Sequence, residues 1–160
     1  MFFLPEFASQ MEVYIGLEGY TLPSGFIVKE LCVLYPNGEY SHHLFKPPSN
    51  KLLSEIERRT VRYATIHLNH ISYNDGYIPY ANVDEILSKY QDCQVFTYGE
   101  VSLNFLQSAM PTTVIENIQN RGFKLSAELS DPGCCRIHPP RYCAKAKALA
   151  IKSFLSVNRH

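Results

Sequence analysis

The chain has no tryptophan, no surplus of either charge, and no apolar run approaching the roughly 20 residues that a membrane-spanning helix needs. A helical membrane protein is therefore not expected. Lys+Arg and Asp+Glu stand at 15 each, which excludes a global field pulling the chain toward nucleic acid or anionic lipid. Any such binding has to come from a local patch. Met1 to Gln10 has no basic start and no apolar stretch of secretory length, because Pro5 and Glu6 interrupt it. That reading predicts an intracellular protein, in nucleus or cytoplasm, a perinuclear granule included. Charged residues make up only 19% and apolar residues 46%, which argues against disorder, and 160 residues are enough for one sizeable core. With no repeat, low-complexity tract or linker, residues 1–160 read as a single domain.

The cysteines do not pair off: there are five, and Cys134, Cys135 and Cys143 cluster beside His138. An odd, clustered set fits a reduced compartment and a metal better than a disulfide framework. Cys32 and Cys93 lie outside the cluster and read as buried structural thiols.

Residues 11–20 and 25–35 are rich in β-branched, aromatic and aliphatic side chains, and Leu-Pro-Ser-Gly between them is turn chemistry, which predicts a hairpin. Pro36-Asn37-Gly38 marks a second turn, and a more polar third strand runs from Glu39 to Phe45 until Lys46-Pro47-Pro48 stops it. A helix capped by Ser49 or Asn50 follows, with Leu52, Leu53, Ile56, Thr60 and Tyr63 as its inner face and Glu55, Glu57, Arg58 and Arg62 outside. After a polar loop from Asn69 to Tyr80 come a short helix from Asn82, a strand from Gln94 to Tyr98, and a helix that Pro111 ends. A helix from Thr113 to Arg121 and a closing helix from about Arg141 to Ser156 complete the reading. Three antiparallel strands, then alternating helices and short strands, make an α/β order with a mixed sheet.

Cys135-x-x-His138-x-x-x-x-Cys143 offers two thiols and an imidazole, the soft and borderline ligands that tetrahedral Zn²⁺ prefers, with Cys134 as an alternative to Cys135. Three ligands imply a fourth. On the second strand, Phe26, Val28, Glu30, Cys32 and Leu34 share one face by the two-residue period, which sets a carboxylate on an apolar surface. Pairing Glu30 with one structural Zn²⁺ would offset its desolvation and tie the strand to the last helix. His67 and His70 are competing fourth ligands.

The stretch from Phe26 to Leu34, the strand running into Lys46-Pro47-Pro48, and the Cys-x-x-His and Cys run opening a C-terminal helix together resemble the Maelstrom domain. The resemblance implies an RNase H-like fold of the DEDDh exonuclease lineage, a Glu-Cys-His-Cys zinc site made by Glu30, Cys135, His138 and Cys143, and a role in small-RNA silencing of transposons. It also implies that the exonuclease acids are mostly gone. The first-strand Asp-x-Glu corresponds to Gly16-Leu17-Glu18, the second Asp to Ser102, and the last acid to Cys143. One carboxylate cannot cage the two ions of that chemistry.

Three functions follow as expectations. The first is a non-catalytic adaptor with no catalytic residues of its own, binding a protein partner or RNA, the latter through a basic face of Arg58, Arg59, Arg62, Arg141, Lys145 and Lys147. The second is a metal-independent single-strand ribonuclease with His67 and His70 as the acid/base pair. The third is a homodimerisation module anchored by tyrosines of the Tyr73 to Tyr80 loop.

Overall fold

A computed structural model describes residues 11–125 and 142–157. Strands β1 (Glu12–Leu22) and β2 (Gly25–Leu34) form the long hairpin their alternation predicts, and β3 (Tyr40–Leu44) joins it through the Pro36-Asn37-Gly38 turn. That turn is closed by Gly38 N–H donating to the Tyr35 carbonyl at 3.0 Å, with Gly38 at φ 93°, a value open to glycine at little cost. Then follow α1 (Glu55–His67), α2 (Val83–Ser88), β4 (Gln94–Thr97), α3 (Glu100–Ala109), β5 (Val114–Asn117) and α4 (Ala144–Val157). The sheet order is β3-β2-β1-β4-β5, antiparallel among the first three strands and parallel from β1 to β4 to β5. The protein is thus α/β with a five-stranded mixed sheet and a C-terminal helix, an arrangement consistent with the RNase H-like fold.

The helix expected from Thr113 to Arg121 is instead the short strand β5 followed by one 3-10 turn, Ile118–Arg121. Val114 and Ile115 pair with Gln94 and Val95 at the sheet edge, and this pairing overrides a weak helical pattern.

Helices cover both faces. Val13, Ile15 and Leu17 of β1 pack with Leu31 and Val33 against Leu87 of α2 and Leu106 of α3. On the opposite face, Tyr14, Cys32, Leu34 and Phe96 meet Ala144, Ala148, Ile151 and Leu155 of α4. Full burial of Ile151 and Leu155 contributes about 1.5–3 kcal/mol each. The alanines matter for a different reason: they let the helix backbone touch the sheet. A Cβ placed on Gly16 would fall on the carbonyl oxygen of Ala144, deep inside contact distance, and 3.1 Å from the backbone nitrogen of Ala148.

A β-bulge corrects the expected face of β2. Glu18 pairs with Glu30, but Gly19 pairs with Val28, which leaves Lys29 as the extra residue. Glu30, Cys32 and Leu34 keep the α4 side, whereas Val28 and Phe26 pack with the α2 and α3 side. Lys29 is fully buried. Its ammonium donates to the carbonyls of Phe45 at 2.6 Å, Tyr73 at 2.7 Å and Asp75, so one side chain fastens the 69–80 loop to the sheet. Gly76, at φ 138°, completes the contact, since a side chain there would strike the Phe45 backbone.

The orientation of α1 also differs from expectation. Its N-cap is Ser54, not Ser49 or Asn50, and Ser54 and Glu57 form a reciprocal capping box. Glu57 points inward, where its Oε2 accepts from the backbone and hydroxyl of Ser24 in the β1–β2 turn. Val61 and Ala64 then pack on Tyr20, Leu22 and Ile27. Of the apolar residues expected inside, Leu53 packs inward, while Leu52, Ile56 and Tyr63 face solvent.

Two outcomes follow from this architecture. Gly16→Ala is expected to lower the unfolding free energy by about 3 kcal/mol, at the upper end for overpacking, because backbone rather than a movable side chain occupies the space; urea denaturation measures it, and a loss below about 1 kcal/mol would refute the close approach. Burial pushes the pKa of Lys29 down from 10.5 to about 8, with Asp75 opposing. The unfolded chain therefore holds this proton to higher pH than the folded chain does. Between about pH 8 and 10 the wild type should gain stability relative to Lys29→Met, and a flat difference in pH-resolved denaturation would contradict it.

Candidate functional site

The cleft outside the carboxyl end of β4 is where open α/β sheets usually place their sites. Here it is a cavity of about 250 Å³ bounded by Glu18 and Thr21 of β1, by Tyr98, Gly99 and Ser102 at the β4–α3 junction, and by Lys147 of α4. Its floor is rigid. Thr97 Oγ1 donates to the Ile15 carbonyl at 2.9 Å, and buried Asn117 accepts from Gly99 N–H at 2.8 Å. Gly99 takes φ 98°, which lets the chain turn directly from strand into helix.

Glu18 is 8% exposed, and its Oε2 accepts from the Lys147 ammonium, which also reaches the Leu17 carbonyl at 3.4 Å. Among the described residues lining this cavity, Glu18 is the one carboxylate. The position before it in the Asp-x-Glu pattern is Gly16, where α4 leaves no room for an acid, and Ser102 offers a hydroxyl. A pair of divalent ions needs several carboxylates, so these residues do not fit one. What the arrangement does is satisfy a lone acid with a side-chain cation.

The second cluster lies around Glu30, which is fully buried. Its Oε1 accepts from Ala144 N–H at 2.7 Å, at the start of α4, where the helix dipole favours a negative charge. Its Oε2 accepts from His42 Nε2 at 2.5 Å. Cys143 is buried at the same helix start, its sulfur accepting from Ala146 N–H at 3.5 Å. Burial first, then the proximity of Glu30 and Cys143, pushes the Cys32 thiol up to about 12, which leaves it protonated and inert.

The fold therefore joins β2 to the last helix through Glu30, as the sequence reading expected, but by a different interaction. Cys134, Cys135, His138 and Arg141 lie outside the described residues. Among the described residues no group of three or more His, Cys, Asp or Glu side chains is placed to hold a metal ion. The expected structural zinc is overturned on that finding: His42 and the N-terminus of α4 meet the charge of Glu30 that the metal was invoked to offset. His67 and His70 are exposed at the end of α1, away from this cluster, with His67 packed on Tyr63 at 4.7 Å between ring centroids and His70 at φ 58°. His42 is the residue that sequence reasoning passed over. A signal was available, because Cys32 faces His42 across the β2–β3 ladder, which places the imidazole on the face of Glu30.

The expected basic face is also divided. Lys147 is engaged by Glu18, and Lys145 lies 4.5 Å from the ring centroid of Tyr40. Arg58, Arg59 and Arg62 remain exposed on α1, with Arg58 donating to the Leu53 carbonyl and Arg59 paired with Glu55 at 3.0 Å. The tyrosine loop is less available than expected. Tyr73 packs against Tyr20, and the Tyr80 hydroxyl accepts from Val28 N–H at 3.2 Å, whereas Tyr77 is exposed. Among the described residues no helix is long and apolar enough to cross a membrane.

Compared with known proteins, the chain matches no family model and no curated sequence.

The Glu18–Lys147 pair yields a direct prediction. Glu18→Gln and Lys147→Met should each destabilise by about 2–3 kcal/mol, since each leaves a largely buried charge without its counter-ion. The double variant should lose less than the sum, and strict additivity in a double-mutant cycle would show that the pair contributes no coupling.

Proposed function

We propose that the chain is a non-catalytic RNase H-like module that serves as a protein-interaction adaptor. The observation that carries this reading is the state of the cleft beyond β4, where Lys147 neutralises Glu18 and helix α4 covers the position of Gly16. Phosphoryl transfer of the exonuclease type depends on cations held between several acids and the substrate phosphate. An ammonium already bound to a lone carboxylate supplies no such cage. The resemblance to Maelstrom domains supports placing the adaptor in small-RNA silencing of transposons. The engagement of Lys145 and Lys147 favours a protein over RNA as the principal partner, because a continuous phosphate-binding face would need them turned to solvent.

The test is a nuclease assay on the full chain, with end-labelled single-stranded RNA and DNA in Mg²⁺, in Mn²⁺ and in chelator. Both substrates are expected to stay intact in all three. Cleavage that depends on Mn²⁺ and disappears in Glu18→Gln would overturn the proposal. Cleavage that persists in chelator and is lost in the His67→Ala, His70→Ala chain would establish a metal-independent ribonuclease instead.

A further inference from the structure

Strand β3 runs out into Lys46-Pro47-Pro48, and the 69–80 loop ends in Pro79-Tyr80 just before α2. Between these two stretches lies a cavity of about 490 Å³. It shares no lining residue with the cleft beyond β4, and its volume falls within the range of about 300–1,000 Å³ usual for small-molecule sites.

The walls are held before any ligand arrives. At their base Lys46 N–H donates to the Ile78 carbonyl at 2.8 Å, and Phe45 pairs with Ile78 in a parallel bridge. The rings of Pro47, Pro48 and Pro79 fix φ on both sides. Lys51 N–H closes a turn on the Pro48 carbonyl at 3.3 Å. The Tyr80 ring meets Phe45 edge to face at 6.4 Å between centroids, and its hydroxyl accepts from Val28 N–H, so the ring has little freedom to turn. Binding here needs little ordering of the protein, which favours affinity for a small ligand.

The lining names the chemistry of that ligand. Three proline rings and one tyrosine ring make it largely apolar, and among the described residues Lys46 is its one charged side chain. Lys29, Lys51 and Lys147 are each engaged by an oxygen of the fold, whereas the Lys46 ammonium has no hydrogen bond or ion pair among the described residues. Ser49 and Asn50 beside it bring a hydroxyl and a carboxamide, which can also donate to an anion. A nucleic-acid strand would need a row of cations along its backbone, and there is one. A proline-rich peptide docks in a groove lined by several aromatic rings, and there is again one. A single negative charge on an apolar, ring-bearing body matches what is present: the carboxylate meets the ammonium, and the ring packs against the prolines and Tyr80.

We infer that this cavity binds a small ring-bearing monocarboxylate, with Lys46 as its charge partner and Pro47, Pro79 and Tyr80 enclosing its ring. The site goes beyond the adaptor reading and uses none of the residues on which that reading rests.

The probes are cinnamate and its neutral counterpart cinnamamide, titrated against the isotope-labelled full chain by NMR. Cinnamate is expected to bind about tenfold more tightly than the amide, with shifts centred on residues 46–50 and 79–81. Lys46→Met should abolish that difference with the thermal midpoint unchanged, because Lys46 is exposed and its side chain has no partner in the fold. Ala81→Phe, which sets a ring into the cavity from an exposed position, should weaken both ligands by about tenfold. Equal affinity for acid and amide, cinnamate binding untouched by Lys46→Met, or shifts confined to other residues would overturn the inference. So would a proline-rich peptide that displaces cinnamate and binds more tightly than it does, since the cavity would then be a peptide groove.

Discussion

The contact that the rest of this molecule depends on is the seating of helix α4 directly on the central strand. Gly16 provides the space, Ala144 and Ala148 provide a helix surface with almost no side chain, and Glu30 meets the first N–H of the helix with a carboxylate. Each part requires the others. A side chain at Gly16 would lift the helix, and a lifted helix would leave Glu30 buried with one of its donors gone, a larger penalty than the loss of one hydrogen bond. The same seating aims Lys147 at Glu18. The seating of α4 therefore sets both the packing of the sheet and the position of Lys147 at the cavity.

The same seating sets the electrostatics of the cleft. Glu18 is a largely buried carboxylate at the edge of a cavity. A cation on the adjoining helix supplies a counter-charge, and it is itself held by a backbone carbonyl on the same strand. Such a pair adds little net stability compared with an apolar replacement, but breaking either half is costly.

A second consequence concerns the polar residues inside the domain. Lys29, Glu30 and Glu57 are all buried, and each bridges a strand or turn to a segment distant in sequence: Lys29 to the 69–80 loop, Glu30 to α4, Glu57 from α1 to the first turn. Their hydrogen bonds fix where the helices and loop lie. Because Glu57 takes the inner side of α1, Ile56, Tyr63 and Ile66 of that helix are left outside.

The sequence alone was enough for strands β1 to β4, the first two turns, α3, the closing helix and the α/β class, because alternation, turn residues and a proline stop act locally. It also pointed to Glu30 as a carboxylate in an apolar setting and to a link between β2 and the last helix. Tertiary structure decided the rest. A bulge at Lys29 is one residue of register and leaves no mark in a two-residue period, so neither the burial of that lysine nor the switch of Val28 to the other face was legible. Among the described residues, Glu30 is met by His42 and a helix N-terminus and by no metal-binding cluster, since which donor reaches a buried acid depends on cross-strand register and helix seating. The inward side of α1 was likewise set by Ser24 and Ser54 binding Glu57, a choice that hydrophobic periodicity cannot see because it ranks side chains by polarity and not by the partners awaiting them.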